Sequence, residues 1–507
     1  MFTRRHLIKA AGAGLAPTGS GLELGSARAA GAAIDLPAAL PEGARNNAML
    51  DSLPGKKPLI KLSYRPPNYE TPIEYFRTAI TPNDAFFVRY HLSNIPEVEV
   101  KTWKIVVGGE GANGQAEFTL DDLKRLPVAE LVAVNLCSGN RRGLFQPHVP
   151  GVEWGYGAMG CARWKGARLK DLLDKAGLKK EAIEIVLDGA DSGVTDKTPD
   201  FIKSIPTWKA IEDTTLVAYE MNGAPLPHLN GFPARVIVPG WTGTYWMKHI
   251  TSIKPVTKPE SGFWMNPAYR IPLGKFPIVA RFTSQETAVN TPITEIVVNS
   301  LITNPADGAN VKMGPVAMGG IAWDGGYGIS TVEVSSDGGK TWVAATLGED
   351  LGRFAFRTFS YNFAPKAPGK QTVMARASNK IGQSQTTELI HNPAGYHHNV
   401  VHRGHVQGGL REVAMRALII ALAAAAIALP AAAEEKPVEL KKAPGLDKVE
   451  GNCSGCHSLD YIVMNSPFPN AALWDAEVTK MIKAFGAPVS DADARVIADY
   501  LKHNYGS

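Results

Sequence analysis

The chain has 507 residues, 45% apolar and 20% charged, with a formal net charge of +5. That suits a soluble globular protein of about three domains with ample core. No basic run interleaved with aromatics points to nucleic acid, and four cysteines in this length exclude a disulfide-built scaffold.

In chain order, Arg4-Arg5 precede a small-residue apolar stretch, similar to a twin-arginine export signal, and Ala27-Arg28-Ala29 offers a cleavage site. Residues 1–29 are therefore expected to be removed. Residues 30–70 are rich in proline and read as an irregular N-terminal arm. From 71 to 285, short β-rich runs (Trp103 to Gly108, Leu131 to Leu136, Ala182 to Leu187, Ala234 to Pro239) mix with a few helices. One helix begins at Ala167 and stops near Gly177. This is an α+β pattern without regular βαβ alternation.

Within that region a hydrophobic strand, Leu131 to Leu136, ends at Cys137 beside Arg141-Arg142. Cationic neighbours lower a thiol pKa, and a thiolate is a nucleophile or a ligand for a soft metal. A buried structural cysteine is the competing reading. Residues 286–392 change texture. Thr331-Val332-Glu333-Val334-Ser335 alternates, Asp337-Gly338-Gly339 turns, and Thr341 to Ala344 resumes. Short strands at this spacing predict an all-β sandwich of immunoglobulin size. Residues 393–414, with His397, His398, His402 and His405 following His391, are expected to form an extended tail, a metal site being the alternative.

Met415-Arg416, an apolar run to Ala433 and an Ala431-Ala432-Ala433 exit have the three parts of a second secretory signal, residues 415–433. A membrane anchor is the rival, but one retained span would put the two folded parts on opposite sides of a membrane. The expectation is two separately exported polypeptides joined near Ala414/Met415, periplasmic, with no permanent membrane anchor. From Glu434 onward eight Lys/Arg face eleven Asp/Glu, a net −3 that leaves +8 on the rest. Opposite charge favours docking of the two parts as a heterodimer.

Residues 434–507 carry Cys453-Ser454-Gly455-Cys456-His457. Two thiols three positions apart followed directly by histidine form the attachment site of a covalent c-type haem, with Cys453 and Cys456 on the porphyrin edge and His457 on the iron. Half a zinc site is the competing reading, but no second cysteine pair lies nearby. Methionine as the opposite axial ligand suits electron transfer. Met481, on a following helix, is favoured over Met464, which lies only seven residues past His457. The expected fold is a small all-α class I cytochrome c with a terminal helix capped near Ser490.

Other motifs surround Cys137. They are Phe86-Phe87-Val88-Arg89-Tyr90-His91-Leu92, Trp154, Arg163-Trp164-Lys165-Gly166, Asp191, Gly231-Phe232-Pro233-Ala234-Arg235, Trp246-Met247-Lys248 and Pro267-Ala268-Tyr269-Arg270. In this order, with Cys137-Ser138-Gly139-Asn140-Arg141-Arg142, they resemble the sulfite oxidase family of molybdenum enzymes over residues 60 to 390. The export signals and the cytochrome segment resemble its periplasmic bacterial sulfite dehydrogenases, in which a catalytic subunit pairs with a cytochrome c. The resemblance implies a sulfite-oxidase-type molybdopterin domain and a sandwich that serves dimerisation in the family. It implies Cys137 as the thiolate ligand of molybdenum, and a pterin held by Phe87, Val88, Arg89, His91, Asp191, Asn230, Arg235, Trp246, Met247 and Lys248. Arg89 and Arg142 would clamp sulfite, Tyr269 would hydrogen-bond near the reactive oxygen, and Trp154 would wall the pocket. Asn230 stands where other members commonly have histidine, with His228 as a possible substitute. Many members also place an arginine near the position of Tyr327. The implied activity is oxidation of sulfite with water to sulfate, electrons passing one at a time to the haem and on to a soluble cytochrome c. A periplasmic reductase of sulfoxides or nitrate on the same fold is the alternative.

Overall fold

A computed structural model describes residues 34, 36–274, 289–409, 435, 438–468 and 470–507. The twin-arginine stretch, the internal signal at 415–433 and the junction at Ala414/Met415 lie outside the described residues.

The proline-rich arm is more ordered than its composition predicts. Strands Met49–Asp51, Leu59–Ser63, Asn68–Glu70 and Val88–Arg89 form a four-stranded sheet in that order. Leu59–Ser63 is buried along its whole length, paired on one side with Met49–Asp51 and on the other with Asn68–Glu70. Asn68 pairs with Arg89 and Tyr69 with Val88. This register carries Arg89 to the edge of the catalytic region.

Two further sheets build the α+β part. One orders Lys203–Pro206, Glu184–Gly189, Ile250–Val256, Ile105–Gly108 and Gln115–Phe118, with a single parallel pairing between the third and fourth. The other orders Ala224–Pro225, Leu216–Met221, Met159–Arg168 and Val128–Leu136, and Arg235–Ile237 pairs with Leu216–Met221. Helix Leu169–Ala176 buries Leu169, Leu172, Leu173 and Ala176, the spacing of one helical face. Gly177 ends it in the left-handed region at φ 73°, where only glycine avoids a Cβ penalty.

The sandwich packs a four-stranded sheet (Asn299–Asn304, Val316–Trp323, Arg357–Phe363, Thr346–Leu347) on a five-stranded one (Ala309–Val311, His402–Gly408, Gly369–Asn379, Ile329–Ser335, Val343–Ala344). Ile302, Met318, Val332, Val334, Phe359 and Val373 fill the space between. The expected histidine-rich tail is not a tail. His402–Gly408 is a strand with alternating burial, antiparallel to Gly369–Asn379 and parallel to Ala309–Val311. Histidines at 402 and 405 disguise the two-residue period of a half-buried strand. Among the described residues no cluster of three His, Cys, Asp or Glu could hold a metal ion.

The C-terminal segment has helices Leu446–Cys453, Asp460–Met464, Leu473–Lys483 and Asp491–Tyr505. Ser490 caps the last one by accepting from Asp493 N at 3.1 Å. Val449, Ile462, Phe468, Trp474, Ile497 and Leu501 form its own core. Its face toward the arm is closed by a buried ion pair, Lys61 Nζ to Asp460 Oδ1 at 3.2 Å. Tyr64 N and Ser458 Oγ donate to the other carboxylate oxygen at 3.0 and 2.6 Å. Ser93 Oγ also donates to Cys456 O at 2.6 Å.

Candidate functional site

Strand Val128–Leu136 delivers Cys137 to a tight turn. Cys137 N donates to Ala158 O at 2.9 Å, and Asn140 N donates back to Cys137 O at 2.9 Å. The Asn140 side-chain oxygen takes Ala158 N at 3.1 Å. The thiol therefore sits on a rigid support rather than a mobile loop.

Cys137 opens onto a cavity of roughly 600 Å³, counting its mouth, also lined by Phe87, Arg89, His91, Asp191, Asn230, Arg235, Trp246, Met247, Lys248 and Tyr269. These residues come from five separate stretches of chain. Val88, Arg142, Trp154 and His228 do not line it. Val88 points into a small core with Leu59, Tyr69 and Tyr90, because neighbouring residues on a strand face opposite ways. Trp154 is fully buried. The Arg142 guanidinium donates to Ala394 O from Nη2 and Nε at 3.2 and 3.3 Å, and to Val152 O at 3.3 Å. Arg141 turns the other way, donating to Asn299 Oδ1 and Ser300 O at 2.6 and 2.7 Å. Tyr327 lies outside the cavity too, its hydroxyl donating to the Glu295 carboxylate at 3.2 Å.

The electrostatics are those of a buried anion site. Burial pushes the Lys248 ammonium down to about 7, against the pull of Asp191. Burial pushes Arg235 down to about 9 and raises the Asp191 carboxyl. Lys248 Nζ donates to Arg89 O at 2.8 Å and lies over the Tyr90 ring at 4.0 Å. Arg235 donates to Asn230 O and Trp246 O at 3.0 and 2.9 Å. His91 is held well below its ordinary value by burial, reinforced by Arg89, Lys248 and Lys203, so its ring is neutral. That ring stacks on Phe201 at 3.8 Å and hydrogen-bonds the Tyr269 hydroxyl through Nε2. Tyr269 itself sits in the left-handed region at φ 60°, where a non-glycine residue is strained, as recurs at functional sites.

Three residues at the site escape a reading of the sequence. Lys56, in the arm, places its ammonium on Asn230 Oδ1, Asn83 O and Phe86 O, and Asn230 Nδ2 donates to Phe87 O at 3.1 Å. Asn230 is thus braced from the arm. Tyr396 stacks on Tyr269 at 5.7 Å and lies under the Arg142 guanidinium at 4.9 Å. Lys203, pushed down to about 7 by burial, lies 5.1 Å from the Tyr269 ring centre. None carries a motif, and only the fold brings them near Cys137.

The cavity fits a molybdenum–pterin group. One thiol suits a soft metal, and Arg89, Arg235 and Lys248 suit a phosphate. Asn135 Oδ1, Thr244 Oγ1 and Arg235 Nε are buried without partners, and all three residues line the cavity. Buried polar groups without partners are costly, and a polar ligand would satisfy them. The C-terminal segment fits a haem in its own way. His457 Nδ1 bonds Ser458 O at 2.9 Å, which leaves Nε2 for iron and fixes the ring. Met464 is fully buried in the catalytic-side core, whereas Met481 is half-buried on Leu473–Lys483.

Residues 91–264 match the oxidoreductase molybdopterin-binding domain and residues 290–408 the Mo-co oxidoreductase dimerisation domain. The chain is 35% identical over 369 residues to human mitochondrial sulfite oxidase, covering 70% of this chain and 66% of that one. It is 30% identical over 373 residues to Arabidopsis thaliana sulfite oxidase, covering 69% of this chain and 89% of that one. It thus spans 66% of the length of the mammalian relatives. In structure it is similar to the sulfane dehydrogenase SoxCD of Paracoccus pantotrophus, with TM-score 0.58 and 25% identity, over 67% of this chain and 84% of that one.

Proposed function

This chain belongs to the sulfite oxidase family, and from that premise we propose that it oxidises sulfite to sulfate in the cavity beside Cys137. The observation that carries the reading is the convergence of Cys137, Arg89, His91 and Tyr269 on one basic cavity. In the C-terminal segment Cys453, Cys456, His457 and Met481 would hold a covalent haem, which would supply one-electron transfer to an external cytochrome c. Export of both segments to the periplasm, as a heterodimer, completes the proposal.

Bound through Cys137, the molybdenum–pterin group would supply the two-electron oxidation and deliver the oxygen that distinguishes sulfate from sulfite. The protein's own part is binding and orientation. Arg89 attracts the oxyanion, a planar guanidinium matching two oxygens at once. With its proton on Nε2, neutral His91 donates to the Tyr269 phenol oxygen and leaves the phenol hydrogen free to meet a substrate oxygen. Lys248, Arg235 and the Lys56-braced Asn230 hold the cofactor side. Arg142 acts from behind, through Tyr396 and the turn at Ala394.

The test is a steady-state assay of the native two-segment protein with sulfite and ferricytochrome c, alongside nitrate and sulfoxides with a reduced dye. Sulfite turnover that vanishes in Cys137→Ser is expected. Reduction of nitrate or sulfoxide in place of sulfite oxidation would replace the reading with that of a reductase.

A further inference from the structure

We propose that the C-terminal segment orients the anion clamp through a hydrogen-bonded chain, Tyr461–Asn68–Arg89, so that the electron outlet also sets the affinity for sulfite. The inference rests on the reading of Arg89 as the residue that binds the substrate anion.

Arg89 and Asn68 are register partners on adjacent strands, and directly opposed side chains share a face. Arg89 Nη1 donates to Asn68 Oδ1 at 3.1 Å and to Tyr90 O. Two oxygens therefore hold one terminal nitrogen, and the remaining guanidinium N–H groups are those available to the cavity. Asn68 is completely buried. Its Nδ2 has two hydrogens and three oxygens in reach, Ser63 Oγ at 2.6 Å, Tyr461 Oη at 2.7 Å and Pro66 O at 3.0 Å. A carbonyl such as Pro66 O can only accept, so the amide cannot flip and its oxygen must face Arg89.

Tyr461 is the single member contributed by the C-terminal segment, on helix Asp460–Met464. The preceding residue is locked by the buried pair with Lys61. Four residues on, Asn465 Oδ1 accepts from Gly151 N at 2.9 Å. The helix is thus clamped to the catalytic part on both sides of Tyr461, which fixes where the phenol oxygen lies. The Tyr461 ring also packs edge-on to His457, 5.2 Å between centres. Docking of the segment therefore completes the support of Arg89 at the same place where it brings the proposed haem ligand close. An arginine side chain left unsupported samples many rotamers, and holding it removes that loss from the binding step.

The experiment uses the full two-segment protein loaded with molybdenum and haem. Tyr461→Phe keeps the ring and removes the hydroxyl. Asn68→Leu cuts the chain from the other side with little change in volume. Sulfate affinity is read by calorimetry on the resting protein, which needs no electron transfer, and sulfite KM and kcat are read with ferricytochrome c. Each single variant is expected to weaken sulfate binding and raise sulfite KM by about fivefold, the net size of one ordinary hydrogen bond. The double variant should be no worse than Asn68→Leu alone. Unchanged sulfate affinity in Tyr461→Phe overturns the proposal, as do additive effects in the double variant or a fall in kcat with affinity intact. A wild-type protein that neither turns over sulfite nor binds sulfate overturns the function and the chain together. Wild-type binding that both variants preserve overturns the chain alone.

Discussion

The two cofactor regions of this molecule are built in opposite ways. The proposed haem site is local: Cys453, Cys456 and His457 fall within five consecutive residues at the end of one helix. The molybdopterin cavity is distributed: its lining runs from Phe86 to Tyr269, with Arg89 on one sheet, Asn135 and Arg235 on another and the rest on the connections. A local motif carries its geometry in its spacing. A distributed one carries only a set of residue types, and their orientation is decided by strand register. Arg89, Arg141 and Arg142 illustrate this. All three belong to the motifs around Cys137, yet only Arg89 lines the cavity, while Arg141 faces the sandwich and Arg142 faces the loop at Ala394.

The largest expected effect comes from exchanging Arg89 and Arg142 for methionine one at a time. Arg89→Met should raise the sulfite KM on the order of a hundredfold, as expected for loss of a charged donor to an oxyanion. Arg142→Met should cost much less, because its guanidinium reaches Ala394 and Tyr396 first. Equal effects in steady-state kinetics would mean that both side chains meet the substrate.

The joint between the regions is the next target. Asp460→Ala would leave Lys61 buried without its partner, at a cost of about 3–5 kcal/mol. For the proposed heterodimer, separation of the two segments on size exclusion at dilution is the expected result. Continued co-elution at the wild-type limit would show that the packing around Met464 and the remaining hydrogen bonds hold them without this ion pair.

That packing sharpens the haem side. Met464→Ala should lower the unfolding midpoint, with about 2–5 kcal/mol lost on emptying a buried site, and leave the haem absorption spectrum as it is. Met481→Ala should change the spectrum and cost less stability. The reverse pattern would make Met464 the axial ligand.

The smallest effect concerns pH. Burial pushes the Glu153 carboxyl up to about 8, with Arg142 opposing, and Glu70 up to about 7. Both groups bind protons more tightly folded than unfolded. Their contribution is complete below the ordinary carboxylate range near 4.5 and is lost as pH rises through 7 to 8. Every tenfold gain in proton affinity on folding corresponds to about 1.4 kcal/mol. Urea midpoints at about pH 4 and pH 8.5, on either side of that window, should differ less in Glu153→Gln than in wild type. An unchanged difference would locate the pH dependence elsewhere.

Much of the catalytic region is legible in the sequence alone. The α+β texture, the sandwich and the helix ended by Gly177 follow from apolar period and turn residues, and Cys137 stands out by its company of motifs. The arm and the histidine-rich stretch mislead for different reasons. Leu59–Ser63 is buried on both faces and so shows no alternation amid its prolines, and His402–Gly408 hides its two-residue period behind histidines and pairs with remote strands. Lys56, Lys203 and Tyr396 are invisible for a related reason, since each meets the site through tertiary contact alone.

Composition, periodicity and short motifs therefore determined which chemistry this chain offers: a thiol for a soft metal, cations for an oxyanion, and the pentapeptide proposed to attach a haem. These depend on covalent neighbours and residue type, which sequence states directly. Only the folded chain decided which guanidinium faces the cavity, which methionine is already buried, and that Tyr461 reaches Arg89 through Asn68. Those outcomes depend on strand register and on the docking of segments hundreds of residues apart, where a shift of one position turns a side chain to the opposite face.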